Sequence, residues 1–438
     1  MKKLIFSFLI ITTMSVKAQK NLQFSSVDSL FKYAESNSAT IKTGDEQSLL
    51  AKWTKLAAIG NTINLRSPIS ASLTDNTLLP ISYIPAEVFG GPPGTLKPVS
   101  FGQEFVTNYA LTPQIDIINL SAWARIKSAS INEKLTETTN LIAKKNVFES
   151  ISAAYYNIVS MQNQITAVKE SILAADSIAN IVTNKFNQGI IREQDKNNAV
   201  INLLSIQDKL AQLNSSLEQQ YNTLRLLCDI RTDVSLQISN INTEPLSITS
   251  SIECKSSLIE KQNQLQSDYL KNELRSNRLL TFAPTVSFIF NEAYQQNSNI
   301  GFFDPKASHF TTQYYGLKIT VPLPFDVNRL SQNYTSKIDY SISKINNEHG
   351  ALENQVTNKQ LELDYQKAIS GYTTGKQIND LKGINYTKSM NQYKEGILST
   401  EDLLLSFTDK VNAQLNLISA ASSLQFVQSK IKINNTIQ

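Results

Sequence analysis

The sequence has 438 residues, among them 14 glycines, 12 prolines, two cysteines and two histidines, and its formal net charge is +4. Two cysteines and two histidines exclude a scaffold of several disulfides and a site that needs several histidine ligands. Charged residues make up 18% of the chain and nearly balance in sign, which disfavours a nucleic-acid partner.

The N-terminus has the composition of a secretory signal peptide. Lys2 and Lys3 form a basic region, an apolar segment follows over residues 4–16, and Ala18 is the small residue that precedes cleavage. We therefore expect residues 1–18 to be removed, which leaves 38 basic and 37 acidic residues. The exported chain has no further stretch of the roughly 18 apolar residues that a membrane helix needs.

Prolines and glycines divide the exported chain into four alternating regions. Proline is excluded from helix interiors by its missing N–H and its ring. Between Pro113 and Pro245 the chain has one glycine, Gly189, and no proline follows Pro324. Two regions that are rich in these residues therefore each precede a long region that favours helix.

The breaker-poor regions predict two long antiparallel helical hairpins. The first has helices at 120–187 and 192–228, and the second has helices at 329–393 and 399–433. Apolar residues from Leu203 to Leu227 recur at intervals of three and four, as in a coiled coil. The turns are predicted at Gly189 and Gly396. Shorter helices are predicted at 27–59, with Ser26 as the N-cap, and at 252–280.

The chain also resembles itself at a shift of 207 residues. This shift superposes Gly189 on Gly396 and Asp195 on Asp402, and the apolar heptads that follow coincide as well. A period of this length is too long for a solenoid repeat. We interpret the chain as two structural repeats, 19–244 and 245–438.

The breaker-rich regions predict two strands in each repeat. Apolar and polar residues alternate over 61–73, 103–115, 283–296 and 311–324, which is the pattern of a strand with two different faces. Their length suits tilted strands that cross an outer membrane, which need roughly 9–11 residues. The first connection, 74–102, contains several prolines and glycines and is expected to be a long loop, ordered or floppy, with no role assigned.

These features together resemble the TolC family of outer-membrane efflux proteins over the whole exported chain. The opening segment from Phe24 to Ser38 is similar to the first helix of the family, and the segment from Ala283 to Ser287 is similar to its strand entry. The tip motif of the family, aromatic-x-x-Gly-hydrophobic-x-x-x-x-Asp, occurs at both predicted turns. A proline at the first strand entry, near Asn61, is missing.

The resemblance implies a mostly α-helical fold with membrane β-strands. Three chains would each give four strands to a twelve-stranded outer-membrane β-barrel, and their long helices would form a periplasmic α-barrel. Closure itself requires an oligomer, because four strands leave open edges that lipid does not tolerate, although a dimer of eight strands would also close. Arg66 and Lys318 are expected to face the lumen.

The function implied by the resemblance is that of an exit duct. The duct would passively conduct substrates across the outer membrane of a Gram-negative bacterium, as part of a tripartite efflux or type I secretion system. Its expected partners are two further copies, a periplasmic adaptor protein and an inner-membrane pump of the proton-driven or ABC type. Neither enzymatic activity nor a cofactor is expected, and the substrate is not assigned.

The resemblance also assigns candidate functional residues at the two tips. Asp402 and Asp195 lie where the family has the aspartates that narrow the periplasmic entrance. A second family aspartate is replaced by Asn198 and Leu405. The alternative is that both carboxylates stabilise the positive N-terminus of a helix.

An adaptor contact is expected at the tip residues themselves. Exposed aliphatic residues on a turn favour a partner that covers them. The alternative for each glycine is a helix C-cap, which is compatible with that contact. The adaptor-contact residues are Gly189, Ile190, Ile191, Gly396, Ile397 and Leu398.

Two other functions stay open at this point. The chain could be a soluble periplasmic coiled-coil scaffold with two hairpins, or a duct for metal ions, although it has no tract rich in histidine or methionine. A disulfide between Cys228 and Cys254 is allowed in an oxidising compartment but is not indicated by the sequence.

Overall fold

A computed structural model describes residues 21–63, 69–239, 254–255, 257–323 and 325–437. The predicted signal peptide, Arg66 and the predicted repeat boundary at residues 244 and 245 lie outside these ranges. The described chain is mostly helical. Its elements follow in the order β1 (Asn21–Phe24), α1 (Val27–Asn37), α2 (Ala39–Ile63), β2 (Ile69–Asp75), β3 (Ile81–Pro85), a short 3-10 helix (Ala86–Phe89), β4 (Leu96–Ser100), β5 (Phe105–Leu111), β6 (Gln114–Ile118), α3 (Leu120–Asn187), α4 (Glu193–Cys228), β7 (Ser235–Ile238), α5 (Leu258–Phe282), β8 (Thr285–Ser298), β9 (Ser308–Thr320), α6 (Val327–Lys394) and α7 (Thr400–Thr436).

The long helices agree with the positions of the helix breakers. Helix α3 has the predicted bounds, and α4, α6 and α7 begin and end within a few residues of theirs. The predicted helix at 27–59 is instead two helices. Helix α1 ends at Asn37, and the backbone of the C-cap Ser38 leaves the helical region with a ψ of 126° while its N–H still bonds the carbonyl of Ala34. The N-cap at Ser26 is confirmed, since its side chain accepts a hydrogen bond from the N–H of Ser29.

The predicted strand at 61–73 is wrong at its start. Residues 61–63 continue helix α2, where the hydroxyl of Thr62 donates to the carbonyl of Ile59. The local alternation of apolar residues is too short to decide between helix and strand there, and no proline ends the helix. Strand β2 begins at Ile69 and runs to Asp75.

The other strands are shifted or divided relative to the prediction. The strand at 103–115 is two strands, β5 and β6, separated at Pro113, which has no N–H for the ladder. Strand β8 ends two residues beyond residue 296, and β9 covers Ser308–Thr320 instead of 311–324. The connection 74–102 is ordered, since strands β3 and β4 pair in it as an antiparallel hairpin.

The described residues form two compact units, each assembled from several segments of the chain. We call the first the helical unit; it consists of the residues up to Gln47, Glu137–Lys261 and Gly350–Gln438. We call the second the sheet unit; it consists of Ser48–Thr136 and Gln262–His349. Each unit takes residues from both predicted repeats.

The helical unit has three apolar clusters between its helices. The first surrounds Leu30, Ile158 and Leu224, and the parallel pair of strands β1 and β7 packs onto it. The second surrounds Leu403 and Phe407 near the helix turns, and the third surrounds Leu424. The helices of this unit are therefore held together by their own apolar seams. Cys228 and Cys254 are buried, free thiols, and burial raises the pKa of Cys228 to about 12.

The sheet unit contains an antiparallel sheet with β8 near its centre. Strands β5 and β6 both pair with one edge of β8, β9 pairs with its other edge, and β2 pairs with β5. In the described part of the chain, the outer edges of β2 and β9 have no strand partner. None of the described helices has an apolar stretch of the length and hydropathy that crossing a membrane requires.

The two faces of this sheet differ in polarity over residues 286–290 of β8, whereas farther along β8 the more apolar face carries Glu292 opposite Gln313. Because side chains alternate along a strand, the register assigns cross-strand pairs to one face or the other. One face carries the pairs Ile69 with Leu111, Phe288 with Leu317, Phe290 with Tyr315 and Val286 with Ile319. The opposite face carries the pairs Ser72 with Asn108, Asp116 with Ser287 and Ser287 with Lys318.

Helices α5 and α6 contact each other in the sheet unit through polar side chains. The Asn277 amide donates to the Ser336 hydroxyl at 2.8 Å, and the Asn333 amide donates to the Thr281 hydroxyl at 2.7 Å. Asn277 and Thr281 are both buried. This polar seam contrasts with the apolar clusters of the helical unit.

Candidate tip and gate site

The first helix turn is built around Gly189. The N–H of Gly189 bonds the carbonyl of Phe186 at 2.8 Å, and the N–H of Ile190 bonds the carbonyl of Lys185 at 3.0 Å. This pair of bonds is a Schellman motif, in which the residue after the helix adopts a left-handed conformation. Gly189 has a φ of 72°, which a residue with a Cβ adopts at a cost. The motif explains why the sequence has a glycine at this turn.

The second turn repeats this geometry at Gly396. Its N–H bonds the carbonyl of Tyr393 at 3.2 Å, and the N–H of Ile397 bonds the carbonyl of Gln392 at 2.9 Å. The φ of Gly396 is 78°. The C-cap alternative is therefore confirmed for both glycines, and it is compatible with a role in partner binding.

The aliphatic pairs after the glycines divide into one exposed and one packed residue. Ile190 is 64% exposed and Ile397 is 71% exposed. Ile191 and Leu398 instead pack against the apolar cluster around Leu403 and Phe407. The exposed member of each pair is the residue that a partner could cover.

Asp195 lies in the first turn of α4. Its carboxylate accepts hydrogen bonds from the backbone N–H of Arg192 at 3.2 Å and from Nε of Arg192 at 3.4 Å. The Asp195 side chain is only 15% exposed. Its negative charge is thus directed at the start of the helix and balanced by a neighbouring guanidinium, as the helix-capping alternative predicts.

Asp402 lies at the equivalent position of α7 and is more open. Ser399 is the N-cap, and its hydroxyl accepts from the N–H of Asp402 at 3.1 Å and donates to the Asp402 carboxylate at 2.6 Å. No described cation pairs with this carboxylate, and the Asp402 side chain is exposed. Glu401 beside it is exposed too, and so is Leu405, at the position of the missing second aspartate. Of the two aspartates, Asp402 therefore presents its charge to solvent.

The two hairpins meet near their turns through a contact that the sequence did not predict. The Lys185 ammonium lies 4.0 Å from the ring centroid of Tyr393 and donates to the Tyr393 carbonyl at 3.2 Å. The Tyr393 side chain is buried, and the Thr400 hydroxyl donates to its phenolic oxygen at 3.4 Å. Farther from the turns, the Asn202 amide donates to the Thr408 hydroxyl at 2.9 Å. No spacing within one hairpin indicates such pairs, because they join helices some 200 residues apart.

The predicted lumen-facing residues are only partly described. Lys318 is exposed and opposite Ser287 on the polar face of the sheet. Arg66 lies outside the described residues. In the same row, the Ser287 hydroxyl donates to the Asp116 carboxylate at 2.7 Å, so acidic and basic groups share this face.

Comparison with known proteins agrees with this architecture. A family model described as "Outer membrane efflux protein" matches residues 103–228. No curated protein sequence matches the chain.

Several solved structures resemble the whole chain. The outer membrane protein VceC from Vibrio cholerae has a TM-score of 0.77 at 15% identity, over 92% of this chain and 94% of that one. The Campylobacter jejuni CmeC outer membrane channel has a TM-score of 0.74 at 15% identity, over 93% and 85%. The Neisseria gonorrhoeae MtrE outer membrane channel, in its open state, has a TM-score of 0.69 at 11% identity, over 96% and 93%. The chain therefore has the fold of these outer-membrane channels, and its resemblance to the TolC family of outer-membrane efflux proteins is confirmed.

Proposed function

We propose that the protein is the exit duct of an efflux or type I secretion system, and that it conducts substrates passively across the outer membrane of a Gram-negative bacterium. The observation that carries this proposal is the polarity of the sheet. Phe288, Leu317 and Ile319 are exposed on one face, while Ser287 and Lys318 line the other. Such a sheet is suited to lipid on one side and water on the other.

The free edges of the sheet support an oligomer. Strands β2 and β9 run in opposite directions, so β9 of one copy can pair antiparallel with β2 of the next. Unpaired edges do not persist in lipid, so a closed barrel of several copies follows. Three copies give the twelve strands that the family resemblance implies, with Arg66 and Lys318 in the lumen.

Helix α6 offers a second surface for neighbouring copies. Ile338, Ile345 and Leu352 are exposed at intervals of seven residues, and Val356 and Leu363 form a parallel row with the same interval. A heptad row of exposed aliphatic residues is typical of a coiled-coil seam without its partner. We propose that this seam closes a periplasmic α-barrel between copies.

We also propose that residues 19–244 and 245–438 are two structural repeats. This is supported by helices α3 and α6, which have 68 residues each and are each followed by a glycine turn of the same geometry.

The soluble scaffold explains these surfaces less well. A coiled-coil scaffold would have no use for a sheet whose apolar face is exposed over several strands, and such a surface would promote aggregation in water. A duct for metal ions shares the architecture of the proposed duct and differs only in its cargo. The substrate is set mainly by the pump that the duct serves.

Extraction and mass measurement test the duct. The mature protein should fractionate with outer membranes, require detergent and run as a trimer of roughly 140 kDa of polypeptide, as barrel closure by three copies implies. A double variant, Leu317→Glu and Ile319→Glu, should no longer reach the membrane, because charge on the lipid face is costly. Lys318→Glu, on the other face of the same strand, is the matched control and should still assemble. A soluble monomer that needs no detergent would contradict the proposal.

We propose that Asp402 forms the entrance gate, with a smaller part for Asp195. Three exposed carboxylates brought together in a narrow ring create a negative field that holds cations. In planar-bilayer recordings, Asp402→Asn should weaken block by multivalent cations added at the periplasmic side, and Asp195→Asn should weaken it less. Glu401→Gln removes the same charge from the adjacent residue and is the control. Leu405→Asp should strengthen the block, and an unchanged block in Asp402→Asn would leave that residue as a helix cap only.

We propose that the tips bind a periplasmic adaptor through Ile190 and Ile397, with the turn geometry set by Gly189, Gly396, Ile191 and Leu398. Ile397→Glu should abolish efflux while trimer assembly stays intact, because the exposed side chain is not needed for packing. Leu173→Glu is a matched control, since Leu173 is a similarly exposed aliphatic residue of the helical unit. Unchanged efflux in Ile397→Glu would argue against docking at the tip, and loss of the trimer would show a folding role instead.

A further inference from the structure

The ordered hairpin of strands β3 and β4 has one apolar face that nothing in the described chain covers. Its register places Ile81 opposite Ser100, Tyr83 opposite Pro98 and Pro85 opposite Leu96. These residues therefore share one face, and it carries no charged side chain. Tyr83 is 68% exposed and Leu96 is 63% exposed.

The end of the hairpin is fixed by its own hydrogen bonds. The N–H of Gly94 donates to the Glu87 carboxylate at 2.7 Å, and the N–H of Gly91 donates to the Ala86 carbonyl at 2.8 Å. Gly91 lies so close to Ala86 that a Cβ there would be 2.8 Å from the Ala86 Cβ. The segment is thus preformed, yet an isolated two-stranded hairpin is marginally stable in water. A partner on the apolar face would supply the missing burial.

A second apolar surface leaves the sheet at the same end. The loop 299–307 connects β8 to β9, and its Ile300 and Phe303 are exposed, the latter by 74%. The loop is fixed to strand β5, since the Thr107 hydroxyl donates to the Phe302 carbonyl at 3.0 Å and the Phe302 ring packs edge-on against Phe105. Its exposed side chains are therefore held outward by a fixed backbone.

The register within the chain brings these two surfaces to the same end of the sheet, where they can meet in an oligomer. Asp75 at the end of β2 pairs with Phe105, Phe105 pairs with Ser298, and Asn297 pairs with Ser308 at the start of β9. The two free edges thus end in nearly the same row of the sheet. If β9 of one copy pairs with β2 of the next so that these ends align, the hairpin that follows β2 leaves the sheet next to loop 299–307 of the copy that contributes β9.

We propose that the hairpin 81–100 is a clasp between copies, whose apolar face packs on Ile300 and Phe303 of the adjacent copy at the outer end of the barrel. The clasp depends on the proposed oligomeric duct and adds to it a specific contact outside the sheet. It covers apolar surface on both sides and strengthens the closure made by strands β2 and β9.

Disulfide crosslinking tests the clasp in the full-length protein. In Tyr83→Cys with Phe303→Cys, mild oxidation of the detergent-extracted oligomer should give covalent dimers and trimers on a denaturing gel. Ser82→Cys with Phe303→Cys is the matched control, because Ser82 is the neighbouring residue on the opposite face of the hairpin. The control should give several-fold less crosslinked product, and the single-cysteine variants should give none. Cys228 and Cys254 are buried and do not compete.

The outcomes separate the clasp from the duct. A trimer that gives no crosslink above the control overturns the clasp and leaves the duct intact, and lipid or an external protein then becomes the occupant to examine. A crosslink that forms within single chains also overturns the clasp. A monomeric protein overturns the duct itself, which the mass measurement shows before any oxidation. As a second readout, Tyr83→Ser with Leu96→Ser should lower the temperature at which the trimer dissociates in detergent, whereas Ser82→Ala should leave that temperature unchanged.

Discussion

The helical unit and the sheet unit differ in how much of their apolar surface is buried within the chain. In the helical unit, Phe407, Leu403 and Leu424 are almost fully buried among helices of the same chain. In the sheet unit, Trp53, Tyr315 and Leu317 are largely exposed, and its α5 and α6 helices contact each other through asparagine, serine and threonine. The helical unit thus has apolar clusters of its own beside the exposed row on α6, whereas the apolar face of the sheet is left for lipid or a further copy in the proposed duct.

The largest effect expected from this difference is at Phe407. Phe407→Ala should lower the free energy of unfolding by about 3–5 kcal/mol, because the side chain is buried and the cavity collapses only in part. Tyr315→Ala in the sheet unit should change that free energy far less, since Tyr315 is largely exposed in the chain. Chemical denaturation of the detergent-extracted protein, followed by circular dichroism, measures both. Equal losses would show that the two units do not differ in this way.

The polar seam of the sheet unit gives the next effect. Asn277→Ala should cost about 1–3 kcal/mol, because the half-buried Ser336 hydroxyl loses the hydrogen bond that the buried Asn277 amide donates. The double variant Asn277→Ala with Ser336→Ala should recover part of this loss, since no unsatisfied group remains. Chemical denaturation followed by circular dichroism measures the free energy of unfolding of these variants as well. A double variant that is less stable than the sum of the single ones would contradict the pairing.

A smaller effect is expected at the turns of the helical unit. Gly396→Ala should cost roughly 1–2 kcal/mol, because alanine must adopt a left-handed conformation at a φ of 78°. Gly371→Ala is the matched control in helix α6, where an added Cβ meets nothing within 4 Å. That control should gain about 0.5–1 kcal/mol of stability. A stabilising Gly396→Ala would show that the turn rearranges.

The smallest effect concerns one exposed ion pair. Lys432 lies 2.9 Å from Asp28 in the helical unit, and both side chains are more than half exposed. A double-mutant cycle should give a coupling of about 0.2–1 kcal/mol that decreases with salt. In the sheet unit, Lys55 lies 2.8 Å from Glu133, whose side chain is 16% exposed, so its coupling should depend less on salt. An equal salt dependence would remove this distinction between the units.

The parts of the fold that depend on local signals could be predicted from the sequence. Gly189 and Gly396 mark helix turns because only glycine adopts the required φ cheaply. The predicted strand at 103–115 is nevertheless wrong to continue through Pro113, although the missing N–H of that residue is a local signal for its division. The start of β2 could not be placed, since a few alternating residues also fit the end of a helix. The contact between Lys185 and Tyr393 could not be predicted either, because it depends on how two hairpins pack. At the candidate gate, the family resemblance assigned both aspartates, but the exposure that distinguishes Asp402 from Asp195 follows from the structure.

The parallel pairing of β1 with β7 has a consequence for how the chain folds. Residues 21–24 are the first described part of the chain to be synthesised, and their partners at 235–238 follow more than two hundred positions later. Contacts between segments so distant in sequence form slowly, because a long loop must close before they contribute. While the chain is being synthesised, the N-terminal segment therefore lacks its partner strand, and Leu22 and Phe24 remain uncovered. A chaperone that shields this segment until residue 238 is available would keep its unpaired edge from pairing with another chain.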